Sequence, residues 1–357
     1  MNVAVLQGIL RSQGFRTLTA VDGPSARAIL QREPADLILL DIMMPGESGF
    51  ETCSQLKSNP ITSEIPIIFL SALSDVKSKV TGFHGGAVDY ITKPFHGEEV
   101  LARARVHLRI RATKCLLVEQ HRRHLEELRN AQQAILVHPE DCPAGNFSIY
   151  FQPLEETSGD FYDVFPIGAD AVGYFVADVS GHGVSAAFLT AAVKALLRQF
   201  SGPLYSAEDT LRGVNDVMGQ LLGEEQYLTA CFARLNRRTR RLSVINAGHP
   251  PLIVVHASGS AETVEMDSDP LGIFSAAILQ RKDLNLARGD RFFLYTDGLI
   301  EATPGGRRQE GIEKLTQACL THRLDPLGAA AGLIAKTIQS GQPAGGDDLL
   351  LLAAEVS

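Results

Sequence analysis

Cysteine is scarce and unpatterned in this chain. Its five cysteines, Cys53, Cys115, Cys142, Cys231 and Cys319, are odd in number and show no Cys-x-x-Cys spacing. That argues against a disulfide framework or a zinc site and fits a reducing compartment. No apolar run approaches the roughly 20 residues that a bilayer-spanning helix needs. The opening MNVAVLQGILRSQGF lacks the charged start and cleavage site of a secretory leader. Nor are basic residues in excess: 33 Lys and Arg against 41 Asp and Glu leave a formal net charge of −8, so general nucleic-acid binding has no electrostatic support. Internal repeats and low-complexity tracts are missing too. The expectation is a cytoplasmic protein with neither a membrane span nor a nucleic-acid partner.

What remains is an ordinary globular composition, 45% hydrophobic and 21% charged, over 357 residues, long enough for two separate cores. Up to about residue 100, helical patterns alternate with short apolar runs. Helices at 3–12, 24–32 and 76–84 accompany the strand-like RTLTAV, LILLD, IPIIFL and VDYIT, which predicts a parallel sheet with helices on both faces. Residues 97–136 contain no glycine after Gly97 and favour a long helix. Val118, Leu125, Leu128 and Ile135 fall near an a/d spacing, with His121 and Gln132 as polar interruptions. Two readings stand: a plain amphipathic linker, or a coiled coil that joins two copies of the chain. HPEDCPAG ends the helix. From 146 on, FSIYFQP, AVGYFVADV, YLTACFARLN, RLSVINAG, PLIVVH, RFFLYT and LLLLAAEV are short alternating strands. Helical segments at about 183–200, 207–222, 309–320 and 326–339 complete a set suited to antiparallel sheets covered by helices.

LILLDIMMPGESGFE puts Asp41 at the carboxyl end of a buried strand, the edge where ligand chemistry collects in open α/β sheets. A strand-end Asp often only caps the next helix. Ser71 ends the next apolar strand, however, and Lys93 ends the last, immediately before Pro94. A carboxylate, a hydroxyl and an ammonium from three strand ends can converge on one phosphoryl group. In its motifs LDIMMP, SAL, GAVDYITKPF and ARVHLR, residues 1–112 closely resemble the receiver domain of two-component response regulators. The resemblance implies that Asp41 accepts a phosphoryl group from a cognate histidine kinase, with Ser71 and Lys93 as switch residues. Receivers begin with a central strand ending in an acidic pair that holds Mg²⁺, and Asn2-Val3 aligns instead with the first helix. Either the natural start lies upstream of Met1 or the domain is degenerate. The chain as it stands is expected to take up a phosphoryl group poorly.

Four acidic motifs follow residue 150. They are SGDFYD with Asp160 and Asp163, VADVSGHGVSAAF with Asp178 and His182, FFLYTDGLIEA with Asp297, and GGDDLLLL with Asp347 and Asp348. Taken singly, an Asp-Gly after a strand is a turn, a glycine-rich loop eases chain reversal, and His182 is a loop histidine. Together, carboxylates gathered without cations would repel one another. Bound divalent ions remove that penalty, and an oxygen-only donor set suits Mg²⁺ or Mn²⁺ rather than zinc.

With NAGHPPL and DPLGIF between them, these motifs resemble the SpoIIE/RsbU-type bacterial branch of the PP2C phosphatases over 146–357. The resemblance implies an α/β/β/α sandwich with two Mn²⁺ or Mg²⁺ ions at one end. Asp178 would bridge both ions and the Val179 carbonyl would complete one shell. Asp297 and Asp347 would bind the second ion, and Asp160 would act beside them through water. Asp163 and Asp348 match the motif without an assigned metal contact, and no arginine for the substrate phosphate stands out. The implied protein has a receiver-like domain (1–112), a helical linker (113–137) and a phosphatase domain (138–357). It would hydrolyse a phosphoserine or phosphothreonine on a STAS-type anti-sigma-factor antagonist, as a homodimer through the linker. The alternative is a non-catalytic adaptor that binds a sigma-factor regulator.

Overall fold

The computed structural model describes residues 3–72, 85–154, 158–181, 184–223, 226–301, 308–340 and 346–357. The helix expected near 76–84 and His182 lie outside the described residues. The chain divides into two units, Met1–Arg122 and Arg123–Ser357.

In the first unit, helices α1 (Val3–Ser12), α2 (Gly23–Leu30) and α3 (Gly49–Ser58) accompany strands β1 (Ile38–Asp41), β2 (Ile67–Ser71) and β3 (Asp89–Thr92). Each of α2 and α3 starts at a capping box. Asp22 accepts from the Ser25 amide, and Ser48 from the Glu51 amide, so donors orphaned at each helix start are satisfied. The strands are parallel in the order β1-β2-β3. Both faces of the sheet are apolar and covered. Ile67 and Phe69 pack with Cys53 and Leu56 on one side, while Ile68, Leu70 and Ile91 pack with Val100 on the other. Two-sided burial of this kind is what makes parallel strands read as continuous apolar runs. The expected strand RTLTAV does not form. Among the described residues, 15–20 pair with no strand, and Leu18 and Val21 stay exposed. An alternating pattern makes a strand only where a ladder partner satisfies its backbone.

Helix α4 (Gly97–Ile135) is continuous across the boundary between the units. Of its apolar residues, Val118 is exposed whereas Leu125, Leu128 and Ile135 are half-buried. Ile135 packs against the second unit's core.

The second unit is built on ten antiparallel strands in two sheets. One sheet runs β10 (Ala261–Val264), β9 (Leu252–Val255), β12 (Arg291–Tyr295), β13 (Leu349–Glu355), β4 (Phe147–Gln152). The other runs β11 (Arg281–Asn285), β8 (Arg241–Ala247), β7 (Leu228–Asn236), β6 (Ala171–Val179), β5 (Asp160–Ile167). Side chains alternate between faces. Tyr174, Val176, Phe292, Leu294, Leu350 and Leu352 therefore form an inner layer between the sheets. In it the Tyr174 and Phe292 rings meet edge to face at 4.9 Å. Outside, α5 (Val184–Phe200) and α6 (Ala207–Leu221) cover one sheet through Leu197, Leu211 and Met218. Beyond a short helix α7 (Gly298–Glu301), α8 (Arg308–Thr321) and α9 (Leu327–Gln339) cover the other through Leu315 and Ile334. The four layers are the expected α/β/β/α sandwich. Among the described residues, no helix is long and apolar enough to cross a membrane.

Strands β10 and β11 are not legible in the sequence, because AETV and RKDLN are short, partly exposed edge segments without an apolar run. Asp163 is explained by alternation. It points to the outer face, fully buried, where Arg198 donates to both its oxygens at 2.9 and 3.0 Å. Lys194 also reaches it, at 3.4 Å, and donates to the Ile135 carbonyl at the end of α4. Asp163 thus anchors α5 to the sheet.

The entry to β12 is braced by Asp290, whose two oxygens accept from the amides of Ala257 and Ala287, each at 2.9 Å. Burial alone would raise this carboxyl, but the two amides and the His256 ring hold it below the usual carboxylate range. A carboxyl depressed in the folded state contributes stability above the ordinary value near 3.9 and loses it as pH falls through the depressed one. Replacing Asp290 with Asn turns an amide donor toward a backbone donor. Chemical denaturation at neutral pH should show a loss of about 1–3 kcal/mol. The gap between wild type and D290N should close as the pH falls below 4.

Candidate active site

The antiparallel register sets three polar residues side by side at one end of the second sheet. Asp160 on β5 lies opposite Asp178 on β6, and Asp178 lies opposite Thr229 on β7. Alternation along β6 places Asp178 on the same inner face as Tyr174 and Val176. Asp160, the first residue of β5, shares the inner face of Tyr162 and Val164 in the same way. The carboxylates therefore stand at the mouth of the apolar layer, where strand pairing fixes their spacing.

The opposing sheet supplies the rest. Asp297 follows β12, and its carbonyl accepts from the amides of Ile300 and Glu301 at 2.8 Å each, which starts α7. Asp347 and Asp348 lead into β13, the strand beside β12. The turn after Asp297 requires glycine: a Cβ on Gly298 would come within 2.0 Å of the Asp348 carbonyl oxygen. Gly159 is constrained in the same way, since a Cβ there would lie 2.7 Å from the Val179 carbonyl and 3.2 Å from Asp178 Oδ1. The glycines of the SGD and TDG motifs thus let two acidic segments approach each other.

Hydrogen bonds tie the sheets together at this end. Thr296 donates from Oγ1 to Asp160 Oδ2 at 2.6 Å, crossing from β12 to β5. Ser158 donates to Asp348 Oδ2 at 2.5 Å, and Asp348 Oδ1 accepts from the Leu154 amide at 2.7 Å. Asp348 therefore clamps the approach to Asp160 onto the start of β13. Gln132, in the last turn of α4, is buried: its Nε2 donates to the Ser158 carbonyl at 2.7 Å and its Oε1 accepts from the Ser158 amide at 3.1 Å. The polar interruption in the helix pattern is thus a reciprocal backbone clamp two residues before Asp160.

Charge is crowded here. Burial, with the charge of Asp178 beside it, holds the Asp160 carboxyl well above its ordinary value. Burial and the neighbouring Asp297, Asp347 and Asp348 push Asp178 up to about 7. Asp347 is raised by burial and by Asp297, and Glu301, which the sequence pattern did not single out, by burial and by Asp297 and Asp347. No Lys, Arg or His forms an ion pair with Asp160, Asp178, Asp297 or Asp347 among the described residues. A divalent cation would relieve this strain, and every side-chain donor is an oxygen, the set that Mg²⁺ and Mn²⁺ prefer. Among the described residues, no three His, Cys, Asp or Glu side chains converge closely enough to chelate one ion. The arrangement fits an ion that keeps several waters and takes one or two carboxylates. Cysteine chemistry has no place here. Cys231 precedes Arg237 at Cys-x5-Arg spacing, yet it is buried in the inner layer and burial pushes its thiol up to about 12.

In the first unit the three strand-end residues are neighbours. Asp41 ends β1 opposite Leu70, and Ser71 ends β2 opposite Thr92. Lys93 Nζ donates to Asp41 Oδ2 at 2.5 Å, and the Lys93–Pro94 peptide is cis. The Lys93 amide donates to the Ser71 carbonyl at 2.7 Å. Among the described residues, strand β1 lies at the edge of its sheet, beside β2.

Both regions match known families. The response regulator receiver domain family matches residues 1–105, and the stage II sporulation protein E (SpoIIE) family matches residues 168–357, more than half of the chain. The second match begins after β5, although β4 and β5, with Asp160, belong to the same two sheets. Response regulator PleD of Caulobacter vibrioides is 40% identical over 104 residues, 29% of this chain and 23% of PleD. Phosphoserine phosphatase RsbP of Bacillus subtilis is 28% identical over 186 residues, 51% of this chain and 46% of RsbP. The chain thus spans less than half the length of these curated relatives. The crystal structure of the RsbU and RsbW domains of Rv1364c from Mycobacterium tuberculosis superposes with a TM-score of 0.52 at 26% identity, covering 58% of this chain and 59% of that one. Sandwich, register and aspartate motifs agree with these matches: the chain belongs to the SpoIIE family and carries a response-regulator receiver domain ahead of its PP2C-type phosphatase domain.

Proposed function

We propose that the chain is a metal-dependent phosphoserine/phosphothreonine protein phosphatase under receiver control, acting on a phosphorylated STAS-type anti-sigma-factor antagonist. The observation that carries this reading is the row of carboxylates at the end of the inner layer, unpaired by any protein cation among the described residues. Asp178, the Val179 carbonyl, Asp297 and Asp347 would hold two Mn²⁺ or Mg²⁺ ions. When bound, such ions supply charge for the phosphoryl oxygens and lower the pKa of water. The chain's own groups do the positioning. Thr296 fixes the Asp160 rotamer through Oδ2, so that this carboxylate can orient an incoming water and take its proton. Asp348 and Ser158 keep the Asp160 segment against β13. The name of RsbP, a phosphoserine phosphatase, supports the same substrate class.

Residues 1–112 would serve as the receiver, 113–137 as the linker and 138–357 as the phosphatase. Asp41 would take the phosphoryl group from a histidine kinase, with Ser71 and Lys93 reporting its presence. Because α4 ends in the Gln132 clamp, a shift of that helix would reach Asp160 through Ser158. A homodimer would form through the linker, where Leu116, Leu117 and Val118 are exposed.

Release of phosphate from a phosphoserine STAS-type protein tests the reading. The full chain should release phosphate with Mn²⁺ and not with EDTA, and D178N should lose at least about 100-fold, in line with loss of electrostatic stabilisation at a reacting centre. No release with the phosphoprotein still bound would favour an adaptor. In Q132A, the unpaired amide and carbonyl of Ser158 should cost about 1–3 kcal/mol of stability. The variant should also need more Mn²⁺ for half-maximal release; an unchanged Mn²⁺ requirement would separate the clamp from the site.

A further inference from the structure

A cleft of about 470 Å³ is bounded by the turn after β8, the segment after β10 and the first turn of α8. Its size falls in the range of ligand pockets. Three features give it chemical character. Arg308 opens α8, stands exposed on the rim and makes no hydrogen bond or ion pair among the described residues. His249 lines the cleft, 5% exposed; its Nδ1 meets Thr229 Oγ1 at 2.9 Å, while its Nε2 is buried without a hydrogen-bond partner. Met266 and Ile312 add apolar surface, and Glu265 and Asp267 add negative charge.

One residue, Thr229, separates the cleft from the carboxylate cluster. Thr229, the partner of His249, lies opposite Asp178 in the strand register. The Arg308 charge is felt at Glu301, which also feels Asp297 and Asp347. A protein segment whose phosphoserine reaches the carboxylates would therefore run its neighbouring residues through this cleft.

We propose that the cleft is the subsite for the substrate segment flanking the phosphoserine, and that Arg308 pairs with a carboxylate-bearing side chain of that segment. This rests on the phosphatase reading above. A guanidinium fork matches a carboxylate in two parallel hydrogen bonds, which a lone ammonium cannot reproduce. Glu265 and Asp267 keep an anion out of the cleft interior, so the acidic side chain of the segment is held on the rim at Arg308 while the rest of the segment occupies the cleft. Met266 and Ile312 offer its aliphatic parts an apolar contact. Burial lowers the pKa of His249 to about 3, so this residue stays neutral and adds no charge of its own.

The test compares two substrates on the full chain with Mn²⁺: a phosphoserine STAS-type protein and p-nitrophenyl phosphate, which has no flanking segment. In R308E the KM for the phosphoprotein should rise about tenfold, the scale of a lost charge pair at an interface. The ratio of phosphoprotein to aryl-phosphate kcat/KM should fall by the same factor, with R308K in between. An unchanged ratio overturns the subsite. Equal losses on both substrates also overturn it, because they place Arg308 at the reacting phosphoryl group. Should wild type hydrolyse neither substrate, the phosphatase reading fails by itself. Calorimetric binding of the phosphoprotein then decides the subsite: about tenfold weaker binding to R308E supports it, and equal binding overturns it.

Discussion

Asp160 and Asp178 are fixed opposite each other by strand pairing, at the edge of an apolar layer that gives their charges little solvation. Asp297, Asp347 and Glu301 add charge from the facing sheet. Nothing in the sandwich itself needs this crowding: the core between the sheets is complete without it, through Tyr174, Phe292 and Leu352. The unfavourable charge is tolerated because the surrounding hydrogen bonds over-determine it, and because a divalent cation would reverse its sign. Carboxyls raised by burial and by like charge cluster at functional sites.

The supporting contacts all run across the sandwich rather than along the chain. Thr296 crosses from one sheet to Asp160 on the other. Asp348 holds Ser158, and Gln132 holds the backbone of the same serine from the end of α4. One short segment, Ser158-Gly159-Asp160, therefore answers to a strand, a turn and a helix at once. Through that convergence the end of α4 is tied to the Asp160 segment without touching the Asp160 carboxyl.

Much of the site was legible in the sequence because its logic is local. An apolar run ending in Asp with a glycine close behind marks a strand end and a turn, with the glycine immediate at Asp297 and a few residues on at Asp41 and Asp178. The glycines are explained by close approach, as at Gly298 against the Asp348 carbonyl. Gln132 and Thr296 carry no local signature, since their partners are 26 and 136 residues away. Asp163 was visible as part of a motif, but only alternation along β5 separates its anchoring face from that of Asp160. Arg308 follows another arginine in the sequence and becomes notable only once the fold places it with His249 around one cleft. The segment RTLTAV misleads for the opposite reason: its local pattern is good, and its ladder partner is missing.

If this carboxylate end holds divalent cations, the uncompensated charge of Asp160 and Asp178 is relieved on binding. A calorimetric titration of the full chain with Mn²⁺, paired with melting temperatures, tests it most directly. Saturable uptake should occur, and at about 100 times the dissociation constant the ion should add close to 2.7 kcal/mol of stability; D178N should lose most of both effects. Absence of saturable binding, or identical binding and melting shifts in D178N, would contradict it.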